Sequence, residues 1–357
     1  MKSNRIIPII QALLAAFLFG ASAPLSKLLL AEVSPVLLAA FLYLGSGLGL
    51  LCVILVEKVT NHKPREARLT RSDLPWLGGA ILAGGVIAPI FLLISLRQTP
   101  AATASLLLNF EGVATTLIAA LVFKEAIGRQ AWWAIGLITL ASILLSTDFT
   151  NNWGVSLSAL GVLAACILWG VDNNLIRNIS AKDPLVIVTL KGLGAGLVSL
   201  IIAFALGNPF PSLGITVLAM LLGSLSYGLS IFLFIFAMRG LGAGRTSALF
   251  GTAPLAGIFL SLVIFRQIPG IFFFIALVAM ASGAYILFME DHEHGHIHKN
   301  FIHDHRHTHN DGHHEHEHVV LSARQSHSHV HTHDFLEHIH DHAPDIHHRH
   351  SHPSNPS

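Results

Sequence analysis

Long apolar runs alternate with short polar connections over the first 289 residues. Runs free of Asp, Glu, Lys and Arg cover residues 6–26, 33–56, 74–96, 130–147, 149–171, 246–265 and 267–289, and residues 98–123 form another, broken only by Glu111. A helix needs about 20 apolar residues to cross a bilayer core of about 30 Å. Because backbone in lipid must satisfy its own hydrogen bonds, we expect each run to form a membrane-spanning helix.

Residues 184–238 carry one charge, Lys191, and are too long for a single span. The Gly-Asn-Pro-Phe-Pro-Ser stretch at 207–212 is typical of a turn and divides the region into two helices. The pattern therefore predicts an all-α integral membrane protein with ten transmembrane helices.

The chain also resembles itself. The pairs Phe19-Gly20 and Trp169-Gly170 end two similar apolar stretches, and three further segments have counterparts: 44–48 with 193–197, 103–105 with 245–247, and 123–125 with 265–267. This spacing predicts two repeats of five helices, over 1–147 and 148–289. An odd number of spans inverts the second repeat, an arrangement that secondary transporters use to build a substrate site near the midplane. The repeat also argues against a cleaved signal peptide at the N-terminus, because cleavage would remove a helix that the second half retains.

Composition narrows the functional classes. Apolar residues make up 53% of the chain and charged residues 11%, against about 25% in typical soluble domains, so a soluble enzyme is excluded. The net charge of +1 favours no nucleic-acid partner. Cys52 and Cys166 lie in apolar runs without metal or redox spacing, and we interpret both as small buried residues.

The Lys and Arg residues of the loops predict the orientation. With the N-terminus inside, only Lys27, Arg97 and Arg266 fall on the outer side. Thirteen fall on the cytoplasmic side: Lys2, Arg5, Lys58, Lys63, Arg65, Arg68, Arg71, Lys124, Arg129, Arg177, Lys182, Arg239 and Arg245. We therefore expect a multi-pass protein of the cell membrane with both termini in the cytoplasm.

Residues 6–289 resemble the EamA branch of the drug/metabolite transporter superfamily. The resemblance rests on the doubled repeat, on Phe19-Gly20 and Trp169-Gly170, and on Leu121-Val122-Phe123-Lys124-Glu125 followed by the small-residue helix from Gly136. It implies export or exchange of small metabolites through a central cavity. The second repeat has Gln267 where this family usually has a glutamate, so a role for Glu125 would not be duplicated.

Five polar residues inside the predicted spans are candidates for substrate recognition or ion coupling. A charge in a span costs about 2.5–3.5 kcal/mol on insertion scales. Glu111 lies near the middle of the fourth span beside Asn109, with no cation at that depth on its sequence neighbours. Burial disfavours the charged form of a carboxyl, which suits proton coupling, and a carboxylate also suits recognition of a cationic substrate. Asp172, followed by Asn173, and Lys191 lie on consecutive helices, where a neutralising ion pair is an alternative to a functional role.

The prolines and glycines inside the predicted spans also allow two interpretations each. Pro24, Pro89 and Pro254 either free backbone carbonyls to line a cavity or simply kink their helices. The glycine-rich stretches at 45–49 and 192–196 favour close helix packing over substrate contact.

The last segment, residues 290–357, has a different composition. It contains 23 of the 24 histidines and 11 of the 20 acidic residues, with few apolar ones, and this predicts a disordered cytoplasmic tail. Imidazole binds zinc, nickel, cobalt and copper, so the tail is predicted to hold such ions at several weak sites. The candidate ligands are His292, His294, His296, His298, His303, His305, His307, His309, His327, His329, His331 and His333.

Two functions remain open from the sequence. The first is a secondary transporter, working as an exporter, of a small solute through a cavity between the repeats, with a metal-binding tail and no required cofactor. The alternative is an exporter of divalent nickel, cobalt or zinc on the same fold. The spans hold no histidine, which favours the organic solute, and no nucleophile–base set that would indicate a membrane enzyme. The partners expected are the solute, the bilayer and metal ions at the tail, and a homodimer stays open.

Overall fold

The protein is a bundle of helices, seen in a computed structural model that describes residues 6–59, 67–123, 128–148, 154–180, 182–241, 243–288, 293–298, 301–307, 327–333 and 336–341. The helices of the first half are α1 Ile6–Gly20, α2 Ser22–Leu29, α3 Pro35–Val59, α4 Leu74–Ala80, α5 Ala88–Leu96, α6 Ala101–Leu107, α7 Phe110–Phe123 and α8 Arg129–Ser146. The second half has α9 Leu157–Arg177, α10 Pro184–Ala205, α11 Leu213–Gly223, α12 Ser230–Leu241, α13 Ala243–Phe250, α14 Ala253–Phe265 and α15 Ile271–Phe288.

Eight helical segments in the described part of the chain are long and apolar enough to cross a membrane. They are Ile6–Leu29, Pro35–Val56, Arg71–Leu96, Ala101–Phe123, Arg129–Ser146, Leu157–Arg177, Pro184–Ala205 and Leu213–Met238. Two shorter apolar helices follow, Ala253–Phe265 and Ile271–Ile286, where the sequence predicts the ninth and tenth spans. The predicted turn at 207–212 is confirmed: Gly207 has φ +68°, and Ser212 caps the N-terminus of α11.

Several of these segments are interrupted in the same place in both halves. The third segment contains a π-helical stretch, Ile81–Ile87, and the eighth contains another, Ser224–Leu229. The fourth breaks at Leu108–Asn109, between α6 and α7, and its counterpart breaks at Gly251–Thr252, between α13 and α14. Discontinuous helices in corresponding positions of two halves are typical of transporter binding sites.

The predicted interruptions at Pro24, Pro89 and Pro254 are confirmed. A proline ring clashes with the carbonyl four residues earlier. Helix α1 ends at Gly20 and α13 ends at Phe250, four residues before Pro24 and Pro254 respectively, and the π-helical stretch before Pro89 contains Gly85.

The two halves pack reciprocally, so that the first helix of each half contacts helices of the other half. Helix α1, which opens the first half, packs against α12 and α14 of the second, and α9, which opens the second, packs against α5 and α7 of the first. The α3–α10 and α8–α15 pairs join the halves at the remaining positions. The core lies along these contacts, and the outer faces of the helices carry exposed apolar side chains such as Leu121, Leu140 and Val278.

Glycines make the contacts between halves close, as the sequence predicts. A Cβ on Gly20 would lie 2.1 Å from the Ala253 carbonyl oxygen, and one on Gly170 would lie 2.9 Å from the backbone of Ala114. In the α3–α10 contact a Cβ on Gly192 would lie 2.8 Å from the Gly47 Cα. The glycine of each aromatic-glycine pair therefore allows its helix to touch the backbone of the other half.

The cysteine interpretation is right for one residue. Cys166 is buried, with its thiol directed at the Leu107 carbonyl oxygen at 3.6 Å. Cys52 is exposed on α3, so its interpretation as a buried residue is wrong. An outward position on a membrane helix needs only an apolar side chain, which cysteine supplies.

Strands occur outside the helical bundle. Thr147–Asp148 (β1) pairs with Gly154–Val155 (β2) in the connection between the halves. In the tail, Glu293–His298 (β3) pairs with Leu336–Asp341 (β6), and Phe301–His307 (β4) pairs with His327–His333 (β5), all antiparallel. In these four ranges histidines alternate with other residues, a pattern that also fits the period of a strand, and the predicted disorder of the tail as a whole stays a prediction.

Candidate functional site

A cavity of about 670 Å³ lies between the two halves at the level of the helix breaks. Both halves line it: Glu111 and Thr115 come from α7, Asn173 from α9, and Phe234 and Phe250 from α12 and α13. Both broken helices also contribute, through Asn109 of one break and Gly251 of the other. The cavity thus opens where interruptions of the helices leave room.

Glu111 is the acidic residue of the cavity wall. It lies in the first turn of α7, immediately after the break, and its backbone N–H donates to the Leu108 carbonyl oxygen at 3.1 Å. The carboxylate Oε1 accepts a hydrogen bond from Asn173 Nδ2 at 2.8 Å. No ion pair to Glu111 is found among the described residues, and no Lys, Arg or His belongs to the cavity lining described here. The Glu111 carboxyl therefore faces the cavity without an ion-pair partner among the described residues, and Lys191, paired with Asp172, attracts it only from a longer distance.

Asn173 joins the two halves at this point. Its amide lies 3.2 Å from Thr115 Oγ1 as well as within bonding distance of Glu111, and its side chain is exposed to the cavity. The next residue, Asn174, is buried and donates to the carbonyl oxygens of Thr115 and Gly170 at 3.0 and 2.8 Å. Asn173 thus presents polar atoms to the cavity, whereas Asn174 holds α9 against α7.

Asn109 closes the break in the fourth segment. Its side-chain amide donates to the Leu106 carbonyl oxygen at 3.1 Å, and the same oxygen accepts the backbone N–H of Asn109 at 3.2 Å. The residue also lines the cavity.

Asp172 and Lys191 form an ion pair, as one of the two predictions for them requires. They are absent from the described cavity lining, and Asp172 is 2% exposed. The Asp172 carboxylate packs against Gly84 in the π-helical stretch, where a Cβ would lie 2.1 Å from its Oδ2. Of the five predicted residues, the structure brings Glu111, Asn109 and Asn173 to one cavity and places Asp172 and Lys191 behind it.

The π-helical stretch has its own side-chain partners. The Gly84 carbonyl oxygen accepts from Tyr43 Oη at 2.8 Å and from Trp169 Nε1 at 3.0 Å. A π-helical turn lets a carbonyl leave the regular helix ladder, and here helices of both halves supply the replacement donors. Trp169 is the aromatic residue of the second aromatic-glycine pair.

Sequence reasoning missed several lining residues. Thr115 follows Glu111 by four residues and so shares its helix face, a spacing that could have identified it. Ser105 and Ser247 end two segments that were matched as repeats, and both line the cavity. Phe19, Phe234 and Phe250 form an aromatic wall, in which the Phe250 ring centroid lies 5.3 Å from that of Phe19 and 4.9 Å from that of Phe234. The only sequence signal for this wall was the Phe19-Gly20 pair.

The predicted metal ligands of the tail have no described side-chain positions. His292 and His309 lie outside the described residues, and for the remaining ten only the strand backbone is described. Their metal binding therefore stays a prediction.

Comparison with known proteins decides the family. The EamA-like transporter family matches the chain twice, over residues 6–147 and 156–289. The chain belongs to the EamA-like transporter family. It is 33% identical over 293 residues to an uncharacterized transporter of Methanothermobacter thermautotrophicus, covering 78% of this chain and 85% of that one.

Other similarities of this EamA-like protein are more partial. It is 33% identical over 112 residues to a probable 4-amino-4-deoxy-L-arabinose-phosphoundecaprenol flippase subunit ArnE of Pectobacterium atrosepticum, covering 31% of this chain and 97% of that subunit. A solved crystal structure superposes with a TM-score of 0.55 at 19% identity, over 77% of this chain and 94% of that one. This likeness shows the fold alone, and the family makes the protein a membrane transporter.

Proposed function

We propose that this EamA-like transporter is a secondary transporter that exports a small organic solute through the cavity between its two halves. The observation that carries the proposal is the Glu111 carboxyl, which has no ion-pair partner among the described residues, bonds Asn173 of the other half and faces the cavity. A carboxyl at such a position either recognises a cationic group of the solute or takes up and releases the coupling proton.

We further propose ten spans arranged as two inverted repeats. The ninth span would be α13 with α14, broken at Gly251–Thr252 like the fourth, and the tenth would be α15. The first span of each half contacts the third and fourth spans of the other half, and this reciprocal packing supports an internal two-fold relation. Five spans per half then make the second copy inverted.

The orientation we propose has both termini in the cytoplasm. Two contacts agree with the order of the spans. Lys27 Nζ, at the end of the first span, donates to the Leu96 and Thr99 carbonyl oxygens at the end of the third span. Lys182 Nζ, which follows the sixth span, lies 3.7 Å from Asp73 Oδ2, which precedes the third span. The excess of loop Lys and Arg chooses which side is inside. A reporter fused after Ser357 should be active as a cytoplasmic fusion, and activity restricted to the periplasm would contradict this orientation.

A metal ion is the weaker candidate for the cargo. The described part of the chain holds no group of three or more His, Cys, Asp or Glu side chains that could coordinate a metal, whereas transition-metal ions prefer imidazole or thiolate donors. We propose instead that the histidines of the tail bind metal beside a transporter of organic solutes. The similarity to the ArnE subunits, named as parts of a flippase, supports export across a membrane and not a particular solute.

A growth screen tests this function. Cells that lack or overproduce the protein are exposed to amino acids, organic amines, toxic metabolites and nickel, cobalt or zinc salts. We expect overproduction to raise tolerance to an organic solute, and we expect Glu111→Gln, produced at the same level, to abolish that tolerance. Tolerance to metals alone, retained in Glu111→Gln, would contradict the proposal.

A further inference from the structure

A side chamber of about 370 Å³ joins the central cavity. The two spaces share part of their walls, formed by Asn109, Ser247, Gly251, Pro254 and Ala284. Most of these residues lie at the two helix breaks, so the breaks that open the central cavity also open the side chamber.

The side chamber reaches the outer surface of the bundle between α14 and α15. Helix α14 packs against α6 and α1, and α15 packs against α8, which leaves space between them. The walls at this end are Leu255 from α14 and the row Leu277, Ala281 and Tyr285 from α15, four residues apart and so on one helix face. Leu255 is 49% exposed and Tyr285 is 65% exposed.

The depth of this opening places it within the bilayer. Ala281, in the wall at this end, follows the start of α15 by ten residues and precedes its end by seven, or about 15 and 10 Å at 1.5 Å per residue, inside a hydrocarbon core of about 30 Å. Exposed apolar side chains at that depth contact lipid tails. The chamber therefore connects the polar centre of the protein with the hydrocarbon of the membrane.

The two ends of the connected space differ in chemistry. The inner end has the Glu111 carboxyl, which forms no ion pair among the described residues, together with Asn173. The outer end has Leu255, Leu277 and Ala281. A molecule that complements both ends at once has a positively charged group at its inner end and a hydrocarbon chain at its outer end.

We propose that the solute is a cationic amphiphile, whose amine lies at Glu111 and whose apolar chain leaves the cavity between α14 and α15. The inference rests on the proposed function and deepens it by naming the substrate class. In the site, the amine exchanges its hydrogen bonds to water for bonds to the Glu111 carboxylate and the Asn173 amide oxygen. The apolar chain of the solute stays in an apolar environment throughout transport. The opening also gives such a solute a lateral route from the membrane.

Binding of two probes tests the inference. The purified full chain in nanodiscs of zwitterionic lipid is dialysed against radiolabelled n-butylamine or n-decylamine, and empty nanodiscs are subtracted. Binding that Glu111→Gln removes counts as binding at the site. We expect n-decylamine to bind at least about tenfold more tightly than n-butylamine, since each buried methylene favours binding.

Closing the side chamber should affect only the long probe. Ala281 lines the side chamber but not the central cavity, and we expect Ala281→Trp to weaken n-decylamine binding about tenfold and n-butylamine binding less than about twofold. Val278→Trp is the matched control, because Val278 lies on the same helix, is 67% exposed and is not part of the chamber wall. If Ala281→Trp does not fold, Ala281→Leu is the smaller obstruction.

Three results would overturn the inference. They are equal weakening of both probes by Ala281→Trp, no weakening of either, and binding of both amines that does not depend on Glu111. The second is also the result expected if a lipid acyl chain occupies the chamber. None of these results decides the proposed function, which the growth screen tests separately with the solute that the screen identifies.

Discussion

Asn173 and Asn174 are neighbours with different partners, and they separate recognition from stability at the scale of single residues. Asn173 is exposed to the cavity and bonds the Glu111 carboxylate, whereas Asn174 is 3% exposed and bonds two backbone carbonyl oxygens. A hydrogen bond at a solvent-filled cavity can be replaced by water, but a buried backbone acceptor that loses its donor keeps its desolvation cost.

The asparagine pair gives the first prediction. Asn173→Ala should lower transport about five- to tenfold with an unchanged unfolding temperature, because one hydrogen bond to a carboxylate is lost at the site. Asn174→Ala should instead destabilise the protein by about 1–3 kcal/mol. Transport in proteoliposomes and thermal unfolding in detergent measure the two effects, and an equal loss of stability in both variants would contradict the division of roles.

The candidate site was predictable in part. A single carboxyl in an apolar run identified Glu111 and with it the nearby Asn109, whereas Asn173 was named because it follows Asp172. The same reasoning could not tell that Asp172 turns away from the cavity to Lys191, because consecutive positions on a helix differ by about 100° and only packing decides which one faces inward. The aromatic wall comes from three distant segments and has no local signal.

At the scale of elements, the candidate site depends on the interruptions of the helices more than on the continuous helices. Two kinds of interruption, the π-helical stretch and the mid-span break, occur in both halves, and only one member of each pair has a proline; the break before Pro24 has no counterpart in α9. Pro89 follows the π-helical stretch of the third segment and Pro254 follows the break of the ninth predicted span, whereas the stretch at Ser224–Leu229 and the break at Leu108–Asn109 lack one. Proline therefore predicted one member of each pair and the break in the first span, and the other two interruptions lack a proline signal.

The aromatic-glycine pairs give the second prediction. Gly20→Ala should destabilise the protein by about 3 kcal/mol or more, since a Cβ there meets the Ala253 carbonyl oxygen at 2.1 Å and backbone cannot move aside cheaply. Gly136→Ala is the control, because no atom lies within 4 Å of a Cβ there and alanine favours the helix by about 1 kcal/mol. Thermal unfolding of both variants measures the difference; similar stability would show that α1 does not hold the two halves together here.

At the scale of the whole molecule, the protein divides into a membrane transporter and a histidine-rich tail. The apolar pattern was sufficient to predict the membrane bundle, because lipid leaves helices as the main solution for long apolar runs. The tail was harder: histidine alternation is compatible both with a disordered metal-binding segment and with the paired strands at β3–β6 and β4–β5.

Removing residues 291–357 gives the third prediction. The bundle should still insert and transport, because its described helices end before the deletion, while retention of nickel or zinc should fall to a small fraction of that of the full chain. Membrane fractionation and metal analysis of the purified protein measure both. Loss of the membrane form on truncation would show that the tail stabilises the bundle, and unchanged metal retention would place the metal sites elsewhere.

Transport by Glu111→Gln, reconstituted in proteoliposomes and measured across a range of pH, tests the central claim most directly. Glutamine keeps the shape and the bond to Asn173 but removes the charge and the titration. The account predicts normal insertion with transport abolished or made independent of pH, while Glu32→Gln, which removes an exposed carboxylate after α2, behaves as the unmodified protein. A wild-type rate and pH profile in Glu111→Gln would contradict the account and make Asp172 the next candidate.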